Sequence, residues 1–412
     1  MRTFTITVLF VFSLLSAPAQ QRWDNPLDST IAHYVSLINA DSIHAYMQAL
    51  ENFETRFCLA ENRREVAEWI MNKFISFGYT NVVLDSFPFN RVWNGQLHET
   101  WQHNVVCTKP GYKNPFKVYI MGAHHDAIVQ SGGDPMFIAP GADDNASGVA
   151  ATLEVARIMK SENYQPDHTI KFITFAAEEL GLHGAWHYAN NAAASGMDIE
   201  LMINNDMISH TLDGPPAWKV RIQKYPNSQW ATSLAIELTQ NFTTLGVTES
   251  TQFIQFSDSW PFYYNGFPAI FFIEDQFNPW YHTINDLVVH TNKHYAAEMT
   301  KISMAMLIDQ NGLGTTTGIP QEYANATARL LSVFPNPASH ETKIQFYLES
   351  DAIISIALYD ASFRQVKELY NGMHNAGTHR IALQTAGLPA GLYFCRLLSP
   401  GRQETLKLSI AR

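Results

Sequence analysis

Three cysteines in 412 residues (Cys58, Cys107 and Cys395) are too few for a disulfide scaffold or a cysteine-rich zinc site. Any metal must therefore be held by histidines and carboxylates. Cys58 and Cys107 are open either to pairing in an oxidising compartment or to separate burial as thiols. Charge is also scarce, at 16% of residues, against 46% hydrophobic and 12% aromatic. That balance excludes a disordered chain and a coiled coil. Basic residues are outnumbered 27 to 38, for a formal net charge of −11. No basic block offsets the excess, which argues against nucleic acid or an anionic membrane as a partner. Beyond the N-terminus no apolar run approaches the ~18 residues of a spanning helix, so no stable transmembrane anchor is expected. Internal repeats and low-complexity tracts are missing too.

What is present begins with the N-terminus. Arg2 precedes an apolar run from Ile6 to Leu15, and Ser16-Ala17-Pro18-Ala19 follows. A positive start, about ten apolar residues and a small-x-small ending describe a secretory signal peptide over 1–19. The mature chain is expected to begin near Gln20, outside the cytoplasm.

Asn62–Phe77 places Val66, Ile70 and Phe74 four residues apart, the spacing of a helix with one face on a core. Strand-like runs follow at Asn81–Asp85, Asn104–Thr108 and Phe116–Gly122. Asn145–Met159 reads as a helix and Ile170–Ala177 as a fully buried strand. Leu182–Ala194, Asn227–Leu238 and Tyr295–Leu307 read as helices, with strands at Ile199–Asn204 and Pro268–Ile273. This alternation implies an α/β chain: a three-layer αβα sandwich with a mostly parallel (mixed) central sheet over 20–313. In such sheets ligands bind beyond the carboxyl ends of the strands.

The Gly/Thr stretch Asn311–Gly318 marks a linker, placed at 314–330. From 331 to 412 the helical period vanishes. Short alternating segments at Lys343–Leu348, Ile353–Leu358, His379–Leu383 and Leu392–Leu397 are separated by turn signals such as Asn371-Gly372 and Ala390-Gly391. They predict a small C-terminal all-β sandwich. That region holds eight Lys/Arg against six Asp/Glu, a net of +2, leaving −13 for the rest. The asymmetry points to two units with different histories.

Five stretches place acids and histidines at expected strand ends. They are Gly122-Ala123-His124-His125-Asp126, Pro140-Gly141-Ala142-Asp143-Asp144-Asn145-Ala146-Ser147-Gly148, Ala177-Glu178-Glu179, Asn205-Asp206-Met207 and Tyr281-His282-Thr283. One such acid is commonly a helix cap, and one glutamate pair a solvated face. Five at one sheet edge make a negative cluster that bound cations would neutralise. Mixed imidazole and carboxylate donors favour zinc over calcium or magnesium.

In this order and spacing, over about residues 41–313, the five stretches resemble metallopeptidase family 28, the co-catalytic dizinc aminopeptidases. The resemblance implies two zinc ions per chain and hydrolysis of peptide substrates from the N-terminus. By it, His124 and Asp206 hold one ion, Glu179 and His282 the other, and Asp144 bridges them. Asp126 would accept the second ring N–H of His124, and Glu178 would be the general base. The chemistry fits independently: one glutamate of an adjacent pair ligates while its neighbour moves protons.

Asp143 is read as support for its loop, His125 as turned away, and Asp286 as either orienting His282 or capping a turn. Ser257-Asp258 fits a family Ser-Asp-His stretch, except that Ser259 stands where the family has His. Met207, Phe253, Phe256, Phe262 and Tyr281 are candidates for an apolar specificity pocket. His183, His187, His210, His290 and His294 have no assigned role.

Val333-Phe334-Pro335-Asn336-Pro337-Ala338, Leu358-Tyr359-Asp360 and Leu388-Pro389-Ala390-Gly391-Leu392-Tyr393 resemble type IX secretion sorting domains. That implies the type IX secretion machinery as a partner. It also implies export through the periplasm to the medium or the cell surface. Two other readings compete with the peptidase: a single-zinc enzyme like glutaminyl cyclases, and a binding domain of the same fold that has lost its metals. The first does without the histidine of the His-x-Asp stretch and the second predicts missing ligands, whereas all are present here.

Overall fold

The computed structural model describes residues 26–312, 328–349, 352–361, 365–399 and 402–411. The expected signal peptide and residues 314–327 of the expected linker lie outside them. In chain order come α1 (Pro26–Ser36), α2 (Ala40–Glu51), α3 (Arg63–Ser76), β1 (Val82–Trp93), β2 (Gln96–Lys109), β3 (Asn114–His124) and α4 (Ser147–Ser161). Then follow β4 (His168–Phe175), α5 (His183–Ala194), β5 (Asp198–Asn205), β6 (Lys219–Lys224), α6 (Gln229–Phe242), β7 (Gly246–Ser250), α7 (Ser259–Tyr264), β8 (Ala269–Glu274) and α8 (Lys293–Asn311).

The strands form one mixed sheet in the order β1-β2-β4-β3-β5-β8-β6-β7. The pairs β4-β3, β3-β5, β5-β8 and β6-β7 are parallel; the other three are antiparallel. Alternation sorts strand residues onto two faces. Along β3, Tyr119, Met121 and Ala123 enter a core shared with α1, α2, α3, α4, α6 and α8. Val118 and Ile120 enter a second core with α5 and α7. All six residues of β8 are buried, as a strand covered on both faces requires. Each Phe or Ile sealed in this way contributes about 1.5–3 kcal/mol. These layers are the expected αβα sandwich. Cys58 and Cys107 are separate buried thiols, in different cores.

The sequence reading missed α1, α2, α7, β6 and β7. It also stopped short on β1 and β2, which continue as a hairpin across Asn94-Gly95, both at positive φ. The helix expected from Asn145 starts at Ser147, because Asp144 and Asn145 have non-helical backbone angles.

The C-terminal unit comprises β9 (Ala328–Phe334), β10 (Glu341–Leu348), β11 (Ala352–Tyr359), β12 (Gln365–His374), β13 (Gly377–Gln384), β14 (Gly391–Ser399) and β15 (Arg402–Ile410). Sheets β13-β10-β9 and β12-β11-β14-β15 share one core that includes Ile344, Phe346, Ile356, Leu358, Cys395 and Leu397. It is the expected all-β unit. Its first strand begins at Ala328, ahead of the boundary expected at 331, because Ala328 and Leu330 already point into that core.

Candidate metal centre

Parallel neighbours β4, β3, β5 and β8 end at one edge of the sheet, and the five stretches follow from there. His124 is the last residue of β3, Glu178 and Glu179 lie just beyond β4, and Asp206 is the first residue after β5. Asp144 comes from the turn entering α4, and His282 from the loop beyond β8. Three of these connections turn on non-glycine residues held left-handed: Ala177, Met207 and His282, each at φ 55°. Such conformations cost free energy and persist where surrounding structure imposes them. The start of α4 must also approach the sheet closely. A Cβ on Gly148 would sit 2.2 Å from the Asn205 carbonyl oxygen and 2.8 Å from Ala123 Cβ.

The central carboxylate is Asp144. Its Oδ1 lies 3.2 Å from His124 Nε2 and its Oδ2 lies 3.1 Å from His282 Nε2. Asp206 Oδ1 stands 3.4 Å from His124 Nε2, and Glu179 Oε2 stands 2.9 Å from His282 Nε2. His124, Glu178 and Asp206 bring donor atoms within 4.8 Å of one another, as do His124, Asp144 and Glu179. Glu179 Oε1, Asp206 Oδ1 and both ring nitrogens of His282 are buried without a hydrogen-bond partner. Proximity without hydrogen-bond geometry is the arrangement of donors aimed at common points between them. Buried polar atoms otherwise find partners. The residues therefore fit a pair of cations held by imidazole and carboxylate.

Neighbouring groups fix these donors. His124 Nδ1 donates to the backbone oxygen of Asp126 at 3.1 Å, which sets the tautomer and leaves Nε2 free. The Asp126 carboxylate is 3.8 Å from that ring, so the hydrogen bond expected between the two side chains is not made. Instead Oδ1 and Oδ2 accept the backbone N–H groups of Glu178 and Glu179. Two successive amides turned one way after β4 offer a carboxylate both bonds at once. Of the two roles expected for Asp286, the structure shows the cap of a turn, and the turn is the one that carries Asp144. The Asp286 carboxylate accepts the amides of Asp143 and Asp144 at 3.0 Å each, and its carbonyl accepts that of Ala142. Asp143 points away and accepts from the Ser209 amide and hydroxyl and from Asn278 Nδ2. His125 is turned from the cluster toward Thr174 Oγ1.

Sequence reasoning missed three residues. Asn145 ties the turn to β5 through Asn205 O and the Met207 amide. Asn204 Nδ2 donates to Ser257 Oγ, which donates on to Asp206 Oδ2. Arg56, fully buried, donates to four carbonyls around the centre. Ser259, at the position of the family His, instead bonds Tyr225 Oη at 2.8 Å.

Electrostatics follow from crowding of like charge. Burial opposes ionisation of Asp144, yet His124 and His282 hold its carboxyl well below the ordinary range. Burial and the Asp144 charge push Glu179 up to about 7. Burial disfavours the His282 cation, but its contacts with Asp144 and Glu179 push the imidazole up to about 10. Burial, only partly offset by His124, raises Glu178 well above a normal glutamate. A cavity of about 270 Å³ opens onto His124, Asp144, Glu178, Glu179 and Asp206, and its walls are Met207, Phe253, Phe256, Phe271, Ile273, Phe277 and Tyr281. Phe262 lies behind it, in the core between the sheet and α7.

Residues 104–307 match peptidase family M28, and residues 332–411 match the secretion system C-terminal sorting domain. A probable leucine aminopeptidase of Arthroderma otae is 27% identical over 287 residues, covering 68% of this chain and 74% of that protein. An aminopeptidase from Aneurinibacillus sp. strain AM-1 superposes with a TM-score of 0.58 at 19% identity, over 71% of this chain and 98% of that one. A glutaminyl cyclase of Bacteroides thetaiotaomicron shares the fold as well, with a TM-score of 0.53 at 19% identity, over 66% of this chain and 98% of that one. The fold alone thus does not separate the two reactions; the donor set must.

Proposed function

Because residues 104–307 belong to peptidase family M28, which makes the chain a metallopeptidase, we propose that it is an exported two-zinc aminopeptidase. The observation that carries this reading is the Asp144 carboxylate, one oxygen beside His124 and the other beside His282. His124 and Asp206 would hold one ion, Glu179 and His282 the other, with Asp144 shared. Bound there, the ions supply Lewis acidity to the scissile carbonyl and lower the pKa of water.

The protein's own groups do the rest. Glu178 borders the cavity, and among the described residues no imidazole lies within ion-pair distance of it, unlike Glu179. It takes the proton of the attacking water and returns it to the nitrogen of the leaving amine. Phe253, Phe256, Phe271, Ile273 and Phe277 form an apolar wall that receives the side chain of the N-terminal residue. The 332–411 domain directs the chain to the type IX machinery after a signal peptide over 1–19 opens the route across the inner membrane.

Elemental analysis of the purified protein should find two zinc ions per chain. Mass spectrometry of a peptide panel should show loss of single N-terminal residues from free, not blocked, peptides. One tightly bound ion, with cyclisation of N-terminal glutamine, would overturn the reading in favour of the cyclase.

A further inference from the structure

Arg56 lies outside the matched 104–307 region and outside every stretch with metal-binding spacing. Its guanidinium is nevertheless sealed against the centre. Nε donates to His125 O at 2.9 Å, Nη1 to Pro140 O at 2.5 Å and Leu50 O at 3.3 Å, and Nη2 to Gly141 O at 2.7 Å. His125 stands between His124 and Asp126; Pro140 and Gly141 lead into Asp144. One rigid plane thus spans the two loops that carry the facing donors His124 and Asp144. The backbone of Arg56 joins the same clamp, accepting the Ala127 amide at 3.3 Å. The fit leaves no slack. A Cβ on Gly141 would lie 2.9 Å from Arg56 Nη2 and 2.3 Å from the Asp144 carbonyl oxygen.

Among the described residues no carboxylate pairs with Arg56, although Asp286, Asp126, Asp144 and Glu179 act on it through space. A buried cation bonded only to carbonyls is expensive unless the site uses both its charge and its shape. Lysine would keep the charge but not the planar fork.

We propose that Arg56 is a positioning residue of the metal centre. It sets the gap between His124 and Asp144 before any ion arrives, and its charge steadies the surplus of carboxylates around it. This rests on the two-ion reading above.

The test compares full-length wild type with Arg56→Lys and Arg56→Met, each with and without metal. In metal-free protein, hydrogen exchange at the amides of 125–127 and 141–146 should be at least ~10-fold faster in Arg56→Lys, with protection in the central strands unchanged. Zinc titration of the same variant should show weaker uptake. At saturating zinc its kcat should fall ~10–100-fold with KM nearly constant, the signature of displaced donors. Arg56→Met should be worse in each respect or fail to fold. Should Arg56→Lys match wild type in loop exchange and zinc uptake, Arg56 merely packs and the proposal falls. If wild type holds ions but hydrolyses no peptide, the aminopeptidase reading fails instead, while the exchange comparison still judges Arg56.

Discussion

His124 and His282 face the same aspartate from opposite sides, yet the fold holds them by different means. His124 ends a central strand in register with Phe175 of β4, and its side chain is 1% exposed. Its ring is fixed through Nδ1. His282 sits in a loop at positive φ, is 11% exposed, and stacks on Tyr281 at 3.7 Å between ring centroids. Neither of its nitrogens has a hydrogen-bond partner. The sheet therefore presets one half of the centre, while the other half depends on a loop and on what it binds. Donor chemistry is shared; preorganisation is not.

The sharpest way to break this comparison is to remove what both sides share. Asp144→Ala should lose both ions and all measurable hydrolysis, by elemental analysis and peptide assay. Retention of one ion would show that the halves are independent.

Next in size is the glutamate pair. Glu178→Gln should keep both ions and lose about 10²–10⁴ in turnover, with KM changed far less. Glu179→Gln should lose the ion on the His282 side, because a neutral amide is a poor zinc ligand. Interchanged results would put the pair out of register by one residue.

A smaller effect concerns order of filling. Calorimetric titration of zinc into metal-free protein should resolve two steps. The tighter step should survive in His282→Ala and disappear in His124→Ala. Asp286→Asn, which weakens the clamp on the shared turn, should cost ~10–100-fold in metal affinity. Equal loss from both histidine variants would erase the distinction between strand and loop.

The smallest effect is expected from the tail. A chain ending at Gly314 should keep its ion content and its activity, measured against full-length protein, since no donor comes from beyond His282. An insoluble or inactive truncation would show that the peptidase unit needs the β-sandwich.

Much of this was legible in sequence because central strands are buried on both faces and end in polar residues with no other reason to cluster. Ile170–Ala177 and the following glutamates are the clearest case. Helix α2 was also legible and overlooked: Ile43, Tyr46, Met47 and Leu50 keep the helical spacing behind the Asn39 cap. Strand β7 was not, since its five residues are all at least partly exposed and show no alternation. The hairpin of β1 and β2 hid for a similar reason, with Val83, Val92, Leu97 and Trp101 exposed. Arg56 could not be read at all, and Asp286 only as one of two roles, without the turn it caps. Their partners are backbone groups brought near by folding, and backbone leaves no trace in residue type. Asp126 shows the same limit: its position was clear, but turned amides claimed the carboxylate expected to serve His124.

The segment joining β7 to α7 has a consequence for how such an enzyme diversifies. Phe253 and Phe256 line the wall proposed to receive the substrate side chain, and one residue later the Ser257 hydroxyl donates to Asp206. Under the proposed function, selectivity and ion binding would be inherited on one short stretch of chain. A lineage that swaps this stretch to accept a new substrate also gambles with its metal. Phe277 carries a linkage of its own: its ring lies 6.1 Å from that of Phe253 and 4.9 Å from that of Tyr281, which stacks on His282. A library aimed at new preferences on either segment should therefore be screened for ion content alongside selectivity.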